Sequence, residues 1–163
     1  MDCPVGSPTV CARQQISGVH VRSLLHEQGV GPMAKRILIA DDEAPVRELL
    51  RKFFRQEGFE AWEAASGTET VKLIKKRRFD VVLTDLKMPG LDGLGVLEQI
   101  RTISPNTAVL IFTGYPTPES TLRALELSTD GYVTKPINLG QLRDLVGRAL
   151  ALRHWERKRK GKS

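Results

Sequence analysis

The chain has 163 residues, 40% of them hydrophobic and 27% charged, which suits a globular protein with one well-sized core. Its formal net charge is +6, but residues 153–163 alone hold six of the 25 basic residues and one of the 19 acidic ones, so the body is almost neutral. Both cysteines, Cys3 and Cys11, precede the body, so we expect no disulfides in the body. The sequence shows neither a signal peptide nor the roughly 18-residue apolar run that spans a bilayer, so we expect a cytoplasmic protein.

The first 32 residues differ in character from the rest of the chain. Residues 1–32 mix Gly, Pro, Ser and Gln with scattered apolar residues and show no sustained periodicity, which predicts a disordered extension. Met33 stands just before a strand-like run and resembles a natural start, so our hypothesis is that the first 32 residues are dispensable or result from the choice of start site. We expect the folded domain to cover residues 33–152. The basic tail, residues 153–163, is expected to end the last helix or to be disordered.

Short apolar strands alternate with amphipathic helices after Met33. The predicted strands are 36–40, 60–64, 81–84, 108–113 and 131–134. Repeated strand-then-helix units imply right-handed crossovers and a parallel sheet that is covered on both faces. The sequence therefore predicts a doubly wound α/β fold with five parallel strands.

The helices are indicated by their apolar period and by their start signals. The first predicted helix has Val46, Leu49, Leu50, Phe53 and Phe54 on one face, and the last has Leu142, Leu145, Val146, Ala149 and Leu150. Three helix starts carry capping residues: Ser66 with Glu69, Thr117 before Pro118, and Asn138 with Gln141.

Chemically active side chains follow the strands. In a doubly wound sheet the site lies beyond the carboxyl ends of the strands. The residues at those ends are Asp41 and Asp42 after the first strand, Asp85 after the third, Thr113 at the end of the fourth, and Tyr132 and Lys135 on or after the fifth. We expect three carboxylates, a hydroxyl and an ammonium to meet at one edge of the sheet.

This set of groups suits phosphoryl transfer. Three carboxylates brought together repel one another, and a bound Mg²⁺, which prefers oxygen ligands, removes that repulsion. Lys135 supplies a further positive charge, and the Thr113 hydroxyl can donate to a phosphoryl oxygen. An aspartate can act as the nucleophile and form an acyl phosphate. The sequence thus predicts a Mg²⁺-dependent site at which Asp85 is phosphorylated.

The same residues resemble the receiver domain of bacterial two-component response regulators. The matching positions are Asp41-Asp42, Asp85, Met88-Pro89-Gly90, Asp92-Gly93, Thr113, Tyr132 and Lys135-Pro136. The resemblance covers about residues 35–152 and implies a flavodoxin-like strand order of 2-1-3-4-5. It also implies a cis peptide bond between Lys135 and Pro136.

The resemblance implies a role for each site residue. Asp85 would accept a phosphoryl group from a sensor histidine kinase or a phosphotransfer protein, and Lys135 would contact that group. Asp42, Asp85 and the backbone carbonyl of Lys87 would bind Mg²⁺, with Asp41 acting through a water molecule. Thr113 and Tyr132 would be the switch residues.

The switch implied by the resemblance changes partner binding at the surface formed by the fourth helix, the fifth strand and the fifth helix. A downstream protein would bind there, and formation of a homodimer stays an open alternative.

The bulky side chains of Lys87 and Tyr115 flank the predicted route of attacking water, so we expect a long-lived phosphoryl group. Residues 128–131, Ser-Thr-Asp-Gly, replace the small residues common in the family before the fifth strand.

Two other classes of function stay open. One is a receiver-like binding module that works without phosphorylation, and the other is a nucleic-acid-binding protein that uses the basic tail. The second is disfavoured because cations at a helix end also suit the helix dipole. Residues 35–152 contain no His or Cys, which excludes a Ser/Cys-His triad or a His-bearing zinc site there. We therefore expect no metabolic enzyme; any catalysis would be of its own phosphorylation and dephosphorylation.

Overall fold

A computed structural model describes residues 34–162, and its five strands form one parallel sheet. The strands are β1 (Arg36–Ala40), β2 (Glu60–Ala64), β3 (Val81–Asp85), β4 (Ala108–Thr113) and β5 (Gly131–Thr134). Their order across the sheet is β2-β1-β3-β4-β5, and each neighbouring pair is parallel. The predicted fold class and strand order are confirmed. The extension predicted for residues 1–32 lies outside the described residues.

Helices cover both faces of the sheet. They are α1 (Ala44–Gln56), α2 (Gly67–Lys76), α3 (Gly93–Ile103), α4 (Pro118–Glu126) and α5 (Leu139–Lys160). Buried residues of α1 and α5 belong to one core cluster, and buried residues of α2, α3 and α4 belong to a second. The sheet therefore separates two hydrophobic cores.

Successive side chains along each strand point to opposite faces of the sheet and pack into the two cores in turn. In β1, Ile37 and Ile39 pack with α1 and α5, whereas Leu38 packs on the opposite face. All four residues from Ile37 to Ala40 are fully buried. A strand buried on both faces reads as a continuous apolar run, which is why these central strands were recognisable in the sequence.

The apolar face of α1 is narrower than the sequence predicted. Leu50 and Phe54, four residues apart, are fully buried, and Val46 and Phe53 pack beside them. Leu49 is 54% exposed, so its placement on the buried face was wrong. Successive residues are separated by about 100° around a helix, so Leu49 turns away when Leu50 points into the core.

The helix starts use the predicted capping residues. The side chains of Ser66 and Asn138 each accept a hydrogen bond from the backbone N–H three residues on. Thr117 does the same, and Ser120 completes a capping box there. At α2 the Glu69 carboxylate accepts from the N–H of Ala65, not from that of Ser66 as a capping box requires.

The last helix continues to Lys160, beyond the expected end of the domain. Arg153 folds back onto the body, whereas Leu152 and Trp155 are exposed. None of the helices within residues 34–162 is long and apolar enough to cross a membrane.

Candidate functional site

Three carboxylates meet where β1 and β3 end. The two strands are neighbours in register, with Ala40 opposite Thr84, so the next residues, Asp41 and Asp85, lie side by side. One oxygen from each of Asp41, Asp42 and Asp85 lies within 4.8 Å of the others. The acidic cluster that the sequence predicted is therefore present.

A lysine from the end of β5 reaches this acidic cluster. The Nζ atom of Lys135 lies 3.1 Å from Oδ2 of Asp41 and 3.3 Å from Oδ2 of Asp85. The backbone N–H of Lys135 donates to the carbonyl oxygen of Thr113 at 2.8 Å, which fixes where the side chain departs from the sheet edge. The peptide bond between Lys135 and Pro136 is cis.

Burial opposes ionisation of the two inner carboxylates. Burial raises the pKa of Asp41 above its ordinary value, although the N–H of Glu43 and the charge of Lys135 partly offset this. Burial likewise raises the pKa of Asp85, and Lys135 again opposes the rise. Burial lowers the pKa of Lys135, but hydrogen bonds and charges from the two aspartates outweigh it and leave the pKa raised.

The acidic cluster has the donor chemistry of a Mg²⁺ site. Asp41 is fully buried and Asp85 nearly so, whereas Asp42 is exposed and leaves the cluster open to solvent on one side. Three carboxylates set against one lysine leave excess negative charge, and clustered carboxylate oxygens are ligands that Mg²⁺ prefers. The residues present fit this ion.

Backbone contacts hold the acidic loops in place. Oδ1 of Asp41 accepts from the N–H of Glu43 at 2.8 Å, and Arg47 donates to the Asp41 carbonyl oxygen at 2.6 Å. On the other side, a Cβ at Gly93 would overlap the carbonyl oxygen of Asp85. The contact made by Arg47 was not anticipated, because its position on α1 gives no sign of the carbonyl it reaches.

Thr113 is buried beside the cluster, and its hydroxyl is engaged. Its Oγ1 accepts a hydrogen bond from the N–H of Tyr115 at 3.1 Å. Tyr132 lies half-buried on β5, and its hydroxyl is 2.9 Å from Oγ of Ser120 on α4. The sequence did not single out Ser120, because the spacing of Thr117 and Ser120 gives no sign of the contact with Tyr132 on another element.

Lys87 and Tyr115 contact each other in the cleft beside the acidic cluster. Nζ of Lys87 lies 4.7 Å from the centre of the Tyr115 ring, which is cation–π geometry. An open cleft of about 510 Å³ adjoins the cluster here and includes Asp42, Thr117 and Ser120 in its walls. The two side chains therefore lie together in the wall of this cleft, and their predicted effect on attacking water stays a prediction.

The family follows from comparison with known sequences. The family model for the response regulator receiver domain matches residues 37–147. The chain therefore belongs to the response regulator receiver domain family, and the resemblance expected from its motifs is confirmed.

Two curated relatives show how the chain compares in length. It is 35% identical over 121 residues to sporulation initiation phosphotransferase F of Bacillus subtilis, covering 74% of this chain and 98% of that protein. It is 38% identical over 122 residues to the regulatory protein AtoC of Escherichia coli, covering 75% of this chain but 26% of that protein. The similarity thus spans a whole relative in one case and about a quarter of the relative in the other.

Solved structures agree with the fold. A CheY-like receiver domain protein from Methanospirillum hungatei superposes with a TM-score of 0.74 at 29% identity, covering 76% of this chain and 99% of that one. NtrX from Brucella abortus, solved with ADP, also gives a TM-score of 0.74, at 27% identity over 80% of this chain and 30% of that one. Both comparisons support the doubly wound receiver fold.

Proposed function

We propose that this protein is a phosphoaccepting response regulator in which Asp85 takes a phosphoryl group from a sensor histidine kinase or phosphotransfer protein. The observation that carries the proposal is the convergence of three carboxylates with Lys135 at one sheet edge. Family membership supports the same role. The cytoplasmic location expected from the sequence is part of this proposal.

The transfer step uses an oxygen of Asp85 as nucleophile. That oxygen forms a bond to phosphorus while the P–N bond of the donor phosphohistidine breaks, and the electron pair of the broken bond stays on the imidazole nitrogen. Lys135, already 3.3 Å from Asp85, stabilises negative charge on the transferred oxygens. Thr113 lies buried nearby, and because its Oγ1 only accepts from the N–H of Tyr115, its own hydroxyl proton can be donated to one of them.

Mg²⁺ is the metal that we propose for the cluster. Asp42, Asp85 and the backbone carbonyl of Lys87 would hold it directly, and Asp41 would act through a water molecule. When bound, the ion neutralises the carboxylates and the charge of the phosphoryl oxygens. Three carboxylates against one contacting lysine leave excess negative charge at the cluster, which supports this assignment.

Phosphorylation would then change partner binding at the α4-β5-α5 surface. Thr113 would turn towards the phosphoryl group, and Tyr132 would move into the space it leaves. Leu122 and Leu125 on α4 are each 62% exposed, which supports a role for this surface in binding a downstream protein or a second copy of the chain.

Lys87 and Tyr115 would slow loss of the phosphoryl group. Their contact at the mouth of the cleft narrows the approach of water to Asp85. The sequence suggested this role from position alone, and the observed contact supports it.

The proposed function is tested by phosphorylation with a small donor. We expect acetyl phosphate with Mg²⁺ to add one phosphoryl group, seen by intact-protein mass spectrometry, and chelation of divalent ions to prevent it. Asp85→Asn should remove the mass increase. Asp92→Asn is the matched control, because Asp92 lines the same cleft but caps α3, and it should keep the increase. Unchanged phosphorylation of the Asp85 variant would overturn the proposal.

A further inference from the structure

Tyr132 is hydrogen-bonded to the first turn of α4. Its ring packs half-buried against the core formed with α2, α3 and α4, and its hydroxyl meets Oγ of Ser120 at 2.9 Å. We call this arrangement the docked position of Tyr132. It connects β5, which carries the predicted switch residue, to the helix whose exposed face is the proposed partner surface.

The hydrogen-bonding capacity of Ser120 is fully used. Its Oγ accepts from the N–H of Thr117 at 3.1 Å and donates to the carbonyl oxygen of Thr117 at 3.0 Å. A serine hydroxyl has one proton and two acceptor positions, so the remaining position accepts the proton of Tyr132. One side chain therefore both closes the capping box of α4 and holds Tyr132.

We propose that Ser120 is a positioning residue that holds Tyr132 in the docked position and couples that position to the start of α4. This inference rests on the proposed function, from which it takes the inward movement of Tyr132. Inward movement breaks the bond to Ser120. Thr113 meanwhile gives up the N–H of Tyr115, so both ends of the segment 113–120 lose a hydrogen bond in the same transition.

The size of the effect follows from ordinary hydrogen-bond strength. A net hydrogen bond of typical strength changes a two-state ratio by about fivefold. A ligand that needs the inward state binds more weakly in proportion to the rarity of that state. Loss of the Ser120 hydroxyl should therefore make such a ligand bind up to about fivefold more tightly.

The experiment is a titration of the full chain with beryllium fluoride in the presence of Mg²⁺, using beryllium fluoride as the phosphoryl mimic. Ser120→Ala should tighten the apparent Kd measurably, by up to about fivefold. The matched control is Thr121→Ala, which removes a neighbouring hydroxyl that binds the same Thr117 carbonyl, and it should leave the Kd unchanged. In a Tyr132→Phe background, Ser120→Ala should have no further effect.

The results that would overturn the role of Ser120 differ from the result that would overturn the proposed function. If Ser120→Ala acts equally in the Tyr132→Phe background, the effect comes from the helix cap alone and the proposal is overturned. A wild-type Kd in Ser120→Ala also overturns it. If the wild-type chain does not bind the mimic, the proposed function fails instead.

A measurement without any ligand decides the positioning role independently. The side-chain rotamer populations of Tyr132 are measured by NMR three-bond couplings in the ligand-free protein. The docked population should fall in Ser120→Ala and stay constant in Thr121→Ala. Equal populations in the wild type and Ser120→Ala would contradict the proposal whether or not the mimic binds.

Discussion

Asp41 and Asp85 share the single ammonium of Lys135, so the inner part of the site carries more negative than positive charge. Both aspartates have a raised pKa because of burial. A carboxyl with a raised folded-state pKa lowers stability where it is ionised, and the loss is recovered as the pH falls through that pKa to the lower pKa of the unfolded state. The site is therefore a cause of instability in the metal-free protein at neutral pH.

We expect Asp85→Asn to raise the free energy of unfolding by on the order of 1 kcal/mol at neutral pH without divalent ions. The variant removes a buried charge while Lys135 keeps Asp41 as its partner. Urea denaturation in chelator measures the change. Asp144→Asn, at an exposed ion pair, is the control and should stay within about 0.5 kcal/mol of the wild type. A destabilised Asp85 variant would contradict this account of the charge balance.

Lys87 and Tyr115 give a prediction about the lifetime of the phosphoryl group. Replacing both by alanine opens the mouth of the cleft, so phosphate loss should become several-fold faster at an unchanged site. The rate is measured by intact-protein mass spectrometry after removal of the donor. Replacing exposed Glu119 by alanine is the control. Equal lifetimes would show that the two side chains do not restrict water.

The residues of the site were predictable because parallel strands bring their carboxyl ends together. From the sequence alone, that rule predicts Asp41, Asp42, Asp85 and Lys135 at one edge of the sheet. Ser120 and Arg47 were not predicted, since their partners depend on how α4 and α1 are oriented over the sheet. Local spacing in a sequence does not contain that orientation.

The connection between α4 and β5 contains Asp130, whose carboxylate holds several neighbouring elements together. Asp130 accepts hydrogen bonds from Arg101 at the end of α3, from Arg153 on α5, and from the N–H of Val109. Gly131 lies beside it, where a Cβ would be 2.6 Å from a methyl carbon of Leu110, so a larger residue would need that side chain to move. The segment that departs from the family pattern thus ties two helices to the sheet.

Loss of the Asp130 carboxylate should be costly for stability. Asp130→Ala leaves two partly buried guanidinium groups without their shared partner, so we expect unfolding to become easier by about 3 kcal/mol. Thermal and urea denaturation measure this loss. Glu126→Ala, which breaks an exposed pair on α4, should cost less than about 0.5 kcal/mol. Comparable losses in both variants would refute a special role for Asp130.

Elements were predicted well where burial is strong and less well where it is weak. The central strands are buried on both faces, so their apolar runs stood out; only β3 differs, by including Asp85. The basic end of α5 was predicted only as one of two alternatives, helix end or disorder, because it has no apolar face to mark it. Leu49 was misplaced because a neighbouring leucine fills the core position.

At the scale of the whole molecule, the described residues 34–162 contain a five-stranded sheet with a hydrophobic core on each face. The family match begins at residue 37. We therefore expect a chain that starts at Met33 to unfold at the same temperature as the full chain and to take up the phosphoryl group at the same rate. Calorimetry and mass spectrometry measure the two properties. A loss of either would show that residues 1–32 contribute to the domain, contrary to our hypothesis.

The identity of the phosphorylated residue tests the central claim most directly. Borohydride reduces an aspartyl phosphate to homoserine, so treatment after incubation with acetyl phosphate and Mg²⁺ marks the acceptor for peptide mass spectrometry. We predict homoserine at position 85 alone, and none when Mg²⁺ is withheld. Homoserine at position 41 or 42, or unmodified peptides throughout, would contradict the account.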